Sequence, residues 1–412
     1  MIAEDRDLLL RLLSLPTAGP LETGDEVHLW EAVTAYATAA AGIGFRTEFL
    51  GPAAPESALR PDVPAAVREA VRRDPDFLAR QPSLVLRLGP AEPSVMFNAH
   101  LDTVAPFEAA GFDGTRFHGR GAIDAKGPAV ALLAGVRAAL AEEPAVGRDV
   151  GVLVQAVSGE EGGAMGVFGT RPLVEAGFHG ALNVFCEPTG LRYLTRCTAA
   201  MTASVRVRGQ DAVDDRPEAG HNATVLLGFL AQHLAGELAG RAPDGRLCVA
   251  GLHTGRMHNR VYGSGELLLN LSYGSAESAR ELGAGVEAAL GTGLAEFRRR
   301  FGGVPPFGRT AADAVAITTL EWRKRGLPAL PDRDVPLLRG IAPRWPADEP
   351  AFTCDAIWLA GVPGAATAVL GPGSLGTNNA HARGEYADVA ELDRFTEVVR
   401  RIVVRFARDG GA

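Results

Sequence analysis

Apolar positions recur at three- and four-residue spacing in DRDLLLRLLSL (5–15) and EVHLWEAVTAYATAAAG (26–42), which predicts two amphipathic helices. GFRTEFLG (44–51), SLVLRLG (83–89) and SVMFNAH (94–100) are short apolar runs bounded by turn residues and are expected to be strands. Between them, 61–81 is polar with helical spacing, an expected surface excursion. GPAVALLAGVRAALAEE (127–143) predicts a helix entered through a glycine-rich turn, and DVGVLVQAVSGEEGG (149–163) and ALNVFCEPTG (181–190) predict buried strands running into polar loops. Strands alternating with helices predict an α/β domain with a largely parallel sheet. From Thr198 the texture changes. TAAMTASVRVRG (198–209) alternates like a half-exposed strand, GELLLNLSYGS (265–275) repeats that pattern, and 222–240 and 276–301 predict helices, so a smaller α+β layer is expected at 198–305. After the Pro-rich joint GGVPPFG (302–308) the α/β texture returns, with a helix expected over 310–326, a strand in GAATAVLGPG (364–373) and a final helix over 388–407. The expected architecture is one domain of residues 1–197 and 306–412 with 198–305 inserted.

With 412 residues and 47% apolar content, the chain is long enough for two domains and a sizeable core. A net charge of -8 argues against a general nucleic-acid binder. The four cysteines (Cys186, Cys197, Cys248, Cys354) are scattered without a CxxC pair, so neither a zinc ribbon nor a disulfide framework is expected. The first residues mix acids and bases and do not read as a signal peptide, and no run of eighteen apolar residues suggests a membrane span. A soluble cytoplasmic protein is the expectation.

Open α/β sheets carry their chemistry at the carboxyl ends of the strands. Each predicted strand here exits into a metal-ligand type or a carboxylate: His100 and Asp102, then Asp124 in GRGAIDAKG, Glu160 and Glu161, Glu187, and late in the chain His381. One histidine, or two adjacent acids, is ordinarily a core or surface group. Their repetition at every strand exit is the signal. Two histidines and three carboxylates suit a pair of zinc-like ions, one carboxylate bridging ions about 3.5–4 Å apart. Residues i and i+2 of a strand share a face, so His100 can bind metal while the Asp102 side chain holds its other ring nitrogen. Asp355 in TCDAIW reads either as a site contact or as a helix cap, and Gly371 and Gly373 either as a substrate-facing loop or as a tight turn. Cys186 and Cys354 read as buried, inert thiols.

These motifs together resemble the co-catalytic zinc metallopeptidases that include acetylornithine deacetylase, succinyl-diaminopimelate desuccinylase, aminoacylase and carboxypeptidase G. HLDTV, GRGAIDAKG, SGEEGG, CEPTG and AHARGEY occur in that family's order over nearly the whole chain. The resemblance implies a zinc-peptidase-like catalytic domain, a mixed, largely parallel sheet flanked by helices, with an inserted α+β lid that dimerises. It implies two divalent ions, zinc first and cobalt or manganese as alternatives. His100 and Glu187 would bind one, Glu161 and His381 the other, and Asp124 would bridge them. Glu160 would be the general base and Asp102 the orienting acid. The implied reaction is hydrolysis of an amide bond in a small N-acylated amine, amino acid or peptide-like molecule, with neither nucleic acid nor membrane as partner.

Two positions depart from the family pattern. In GQDAVDDRPEAGHNA (209–223) the frame of Gly209, Pro217, Gly220 and Asn222 fits, but Val213 stands where the lid histidine is expected and His221 falls on a variable position. Ser272 stands where a carboxylate-gripping arginine is expected, while Asn259 survives. His253 or His258 could supply the missing donor, the substrate could lack an α-carboxylate, or the same metals could serve acyl transfer or condensation. A non-catalytic binding protein is the remaining rival, and the complete ligand set speaks against it.

Overall fold

The computed structural model describes residues 1–411. The chain forms two compact units, one of residues 1–197 with the segment from Leu330 onward, the other Thr198–Ala329.

The first unit is built on a six-stranded sheet. Its order from edge to edge is Arg46–Gly51, Ser83–Leu88, Gly151–Val157, Ser94–His100, Leu182–Phe185 and Ala366–Val369. The last four run parallel, and Ser83–Leu88 is antiparallel to both neighbours. Ser94–His100 and Gly151–Val157 are buried along their whole length. That is why they read as continuous apolar runs: helices cover both faces of a parallel sheet. Asn98 and Gln155, polar residues inside these strands, are satisfied. Asn98 donates to Gln155 Oε1 at 2.7 Å and to the Thr170 hydroxyl at 3.0 Å. Register pairs His100 with Val157, so the loop after Val157 starts beside the imidazole.

Helices Lys126–Glu142 and Val389–Arg408 pack against each other through a glycine. A Cβ on Gly135 would lie 2.6 Å from Val399 Cβ and 2.7 Å from the Thr396 carbonyl. Gly135→Val should therefore destabilise the fold by about 1–3 kcal/mol through overpacking. The reading is a lower urea midpoint at unchanged m; an unchanged midpoint would mean the two helices can separate at no cost.

The second unit is a four-stranded antiparallel sheet in the order Arg246–His253, Ser264–Tyr273, Ala199–Arg208, Thr318–Lys324. Leu267, Leu269, Leu271 and Tyr273 alternate into its buried face, where helices Ala223–Leu238 and Ala276–Phe301 pack. This unit differs from the expected 198–305 block. The helix expected over 310–326 ends at Ile317, and Thr318–Lys324 is a strand paired with Ala199–Arg208. Two β-branched threonines open that strand, and its alternation was masked by the charged residues of EWRK on a half-exposed edge. The chain consequently leaves the second unit at Ala329, not at 305. Among the described residues no helix is long and apolar enough to cross a membrane.

Candidate metal centre and active site

The parallel strands of the first unit deliver their carboxyl ends to one edge of the sheet. His100 closes one strand, Glu160 and Glu161 follow the next, and Glu187 lies two residues beyond Phe185. Asp124 sits in the turn ahead of helix Lys126–Glu142, and His381 in the loop ahead of helix Val389–Arg408. The fold gathers these side chains into two overlapping triads. His100, Asp124 and Glu187 place one ligand atom each within 4.8 Å of one another, and so do Asp124, Glu161 and His381. Asp124 belongs to both. Its Oδ1 is 2.9 Å from His100 Nε2 and its Oδ2 3.1 Å from His381 Nε2, while His381 Nε2 is also 2.9 Å from Glu161 Oε1. A third grouping, His100 with Glu160 and Glu161, puts Glu160 within the same reach.

Asp102 orients His100 by a different atom from the one expected. His100 Nδ1 donates to the Asp102 backbone carbonyl at 2.9 Å, whereas the carboxylate oxygen Oδ1 lies 3.7 Å away. Asp102 Oδ2 accepts the Glu161 N–H at 3.0 Å. The strand ends at His100, so the i, i+2 alternation stops there and the aspartate turns toward the acidic loop. It ties the His100 strand to the Glu161 loop, and its Oδ1 has no hydrogen-bond partner.

Carboxylates outnumber imidazoles here, and the proton affinities of the groups are shifted accordingly. Burial pushes Glu187 up to about 8, against the pull of His100 and with help from Asp124, Asp355 and Glu161. Desolvation and the charges of Glu161, Glu187 and Asp355 raise Glu160 well above the usual carboxylate range, although the residue keeps some surface. His381, hydrogen-bonded to Asp124 and Glu161, rises to about 10. Burial lowers His100, but the bond to Asp124 outweighs it and the net shift is upward. Burial also opposes the shift of Asp124, yet the two imidazoles hold it well below its ordinary value. Among the protein's own groups, then, protons and imidazolium charge stand where cations would neutralise the cluster. The donor atoms are imidazole nitrogen and carboxylate oxygen. The nearby Cys186 is buried, and its thiol is pushed far up by burial, so it offers no thiolate. The set fits zinc-like dications.

Three residues read either as substrate-facing or as local structural groups are buried. Asp355 has no exposed surface; it accepts a hydrogen bond from Thr170 rather than capping the short helix it opens, and burial raises it to about 7. Gly371 is buried against the ligand loop, where a Cβ would come within 2.4 Å of the Glu187 carbonyl. Gly373, at φ +63°, packs against Ile123. His258 and Asn259 lie on an exposed turn of the second unit. Val213 is 58% exposed and faces Arg260 across a two-residue ladder, while Ser272 pairs with Arg246 and Ala200.

Sequence reasoning missed Thr170, Arg120 and Glu385. Thr170 links Asn98 of the His100 strand to Asp355. Arg120 and Glu385 form a buried ion pair at 2.7 Å, both within motifs already quoted, GRGAIDAKG and AHARGEY. A charged residue of each sign inside two glycine-bearing loops was the available signal.

Known proteins share this fold and parts of this sequence. A dinuclear metal-binding M20-family peptidase from Bacillus subtilis shares the fold, with a TM-score of 0.60 at 11% identity over 97% of both chains. An M20-family metallo-carboxypeptidase from Sulfolobus solfataricus gives a TM-score of 0.71 at 11% identity, over 99% of this chain and all (100%) of that one. The succinyl-diaminopimelate desuccinylase of Gluconobacter oxydans is 38% identical over 119 residues, which is 26% of this chain and only 30% of that relative. The model of peptidase family M20/M25/M40 matches residues 96–405. That match opens inside the strand bearing His100 and closes in the helix beyond His381, taking in every clustered ligand, and the chain belongs to peptidase family M20/M25/M40.

Proposed function

We propose that this chain is a two-metal hydrolase of amide bonds in small N-acylated amines, amino acids or peptides. The observation that carries the reading is the pair of ligand triads sharing Asp124, with Glu160 beside them. His100 and Glu187 would hold one ion, Glu161 and His381 the other, and Asp124 both. Divalent ions in such a site polarise the scissile carbonyl and acidify water.

The residues supply the rest. The Nδ1–H of His100 is committed to the Asp102 carbonyl, which leaves the Nε2 lone pair for a metal. Asp102 steadies the acidic loop through the Glu161 N–H. Glu160, at the start of that loop, accepts a proton as water adds to the carbonyl carbon and returns it to the nitrogen as the C–N bond breaks. The family membership and the desuccinylase relative support an acylated amine as substrate.

A second reading, acyl transfer or condensation on the same metals, is favoured by Val213, which brings no donor to its exposed position. The second unit is proposed as the lid and dimerisation domain, because its edge strand Arg246–His253 exposes Val249 and Leu252. We place the homodimer in the cytoplasm, with neither nucleic acid nor membrane as partner.

Elemental analysis should return close to two zinc equivalents per chain after reloading. A panel of acylated amines, run with and without a free amine acceptor, should then release free amine in both cases. Conjugates formed only with acceptor would move the assignment to acyl transfer, and no metal after reloading would remove the hydrolase reading.

A further inference from the structure

We infer that Glu385, paired with Arg120, is the positioning residue that fixes the Asp124 and His381 loops relative to each other and so sets the affinity of the second metal position. This rests on the two-metal reading above. Glu385 is 1% exposed and none of its oxygen atoms is idle. One carboxylate oxygen accepts Arg120 Nη1 at 2.7 Å and the Gly121 N–H at 3.0 Å. The other accepts the N–H groups of Ile123 at 3.0 Å and of Asp124 itself at 3.2 Å. Its own carbonyl takes the Gly119 N–H at 3.1 Å. The turn that carries Asp124 is therefore wrapped around a single anionic side chain from the His381 loop, four residues beyond His381.

Arg120 completes the clamp. It is 2% exposed and reaches the Ala382 carbonyl at 3.0 Å and the Pro106 carbonyl at 3.2 Å. From the outer side, Glu108 accepts the Gly384 N–H at 3.0 Å. The backbone of His381 lies at φ +62°, a left-handed conformation uncommon for a residue other than glycine, and the clamp helps to hold it there. Asp124 and His381 meet only because these two loops are joined, and the second triad contains both. The first triad contains only Asp124 of the pair, so it depends on the clamp less.

Two zinc affinities, measured by competition with a chromogenic chelator on metal-free protein, test this. In Glu385→Gln one of the two positions should lose about 10- to 100-fold, as outer partners of metal ligands typically do, while the other changes less. Arg120→Lys keeps the charge but not the fork, and should fall between native and Glu385→Gln. Asp5→Asn is the control for plain destabilisation. It breaks another ion pair, Asp5 to Arg137, within the same unit, and should lower the melting temperature without moving either affinity. Native affinities in Glu385→Gln overturn the inference, and so does an equal loss in Asp5→Asn. If Glu385→Gln does not fold, Arg120→Lys decides, and native affinities there overturn it equally. A native chain that takes up no zinc overturns the two-metal reading itself and the inference with it; two equivalents in the native chain with unchanged variants overturn the inference alone.

Discussion

Glu160→Gln is expected to lower turnover by about 100- to 10,000-fold, the usual contribution of a positioned proton carrier, while two metal equivalents remain bound. Glutamine keeps the size of the side chain and can still accept a hydrogen bond, but it cannot take a proton from water and return it to nitrogen. The neighbouring residue makes the test selective. Glu161 faces His381 at 2.9 Å and belongs to the Asp124–His381 triad, so its replacement should reduce metal content as well as rate. Glu160 is within reach of His100 and Glu161 but belongs to neither triad that contains Asp124. Loss of kcat with KM and metal content preserved is the signature expected of it. A Glu160→Gln protein that keeps full activity removes the proton-carrier role, and one that loses a metal equivalent makes Glu160 a ligand.

Removing the metals should abolish activity and turn stability into a steep function of pH. Glu187 rises to about 8 in the folded chain, from about 4.3 for a free glutamate. Its folded-state proton affinity exceeds the unfolded one, so the stability it contributes is present at acid pH and is lost as pH climbs from about 4 through about 8. Asp355, raised to about 7, has the same sign. His381, raised to about 10, contributes stability below about 6.5 that disappears as pH rises through 10. That contribution is weaker because the side chain is half exposed and screened by solvent. Asp124 has the opposite sign, since its proton affinity falls on folding, and it acts only on the acid side. The metal-free protein should therefore melt at falling temperatures from pH 6 to pH 8, by an amount on the order of a few kcal/mol in stability. On the two-metal reading zinc would replace those protons, and at about 1,000 times its Kd it would contribute about 4 kcal/mol per site. The difference between zinc-loaded and metal-free melting curves should thus widen with pH, because protons and metal compete for the same atoms. Parallel pH profiles with and without zinc would show that the buried carboxylates are neutralised by something other than metal.

Much of the candidate site was legible because strand exits are written locally. A buried strand needs a continuous apolar run, and the residue types that follow it stand out against that run, as His100, Glu160, Glu161 and Glu187 do. Asp124 and His381 were legible for a different reason: glycine-bearing turns flank both, and the motifs around them resemble a known family. What failed was information held across the chain. The strand Thr318–Lys324 read as helix because its partner lies more than a hundred residues earlier. For Asp355, Gly371 and Gly373 the sequence left two readings open, because burial of a short loop depends on what packs over it.

The order of apolar runs determined the α/β class, the point at which the inserted unit begins and the inventory of ligand types, since each of these depends on residues near one another in sequence. Only the folded chain decided that Asp124 stands between two histidines and that Asp102 holds His100 through its backbone rather than its side chain. It alone joined Arg120 to Glu385 across 265 positions to brace the two loops. Such facts are set by register, by which side a turn folds toward and by desolvation, none of which a run of residues carries until distant segments close around it.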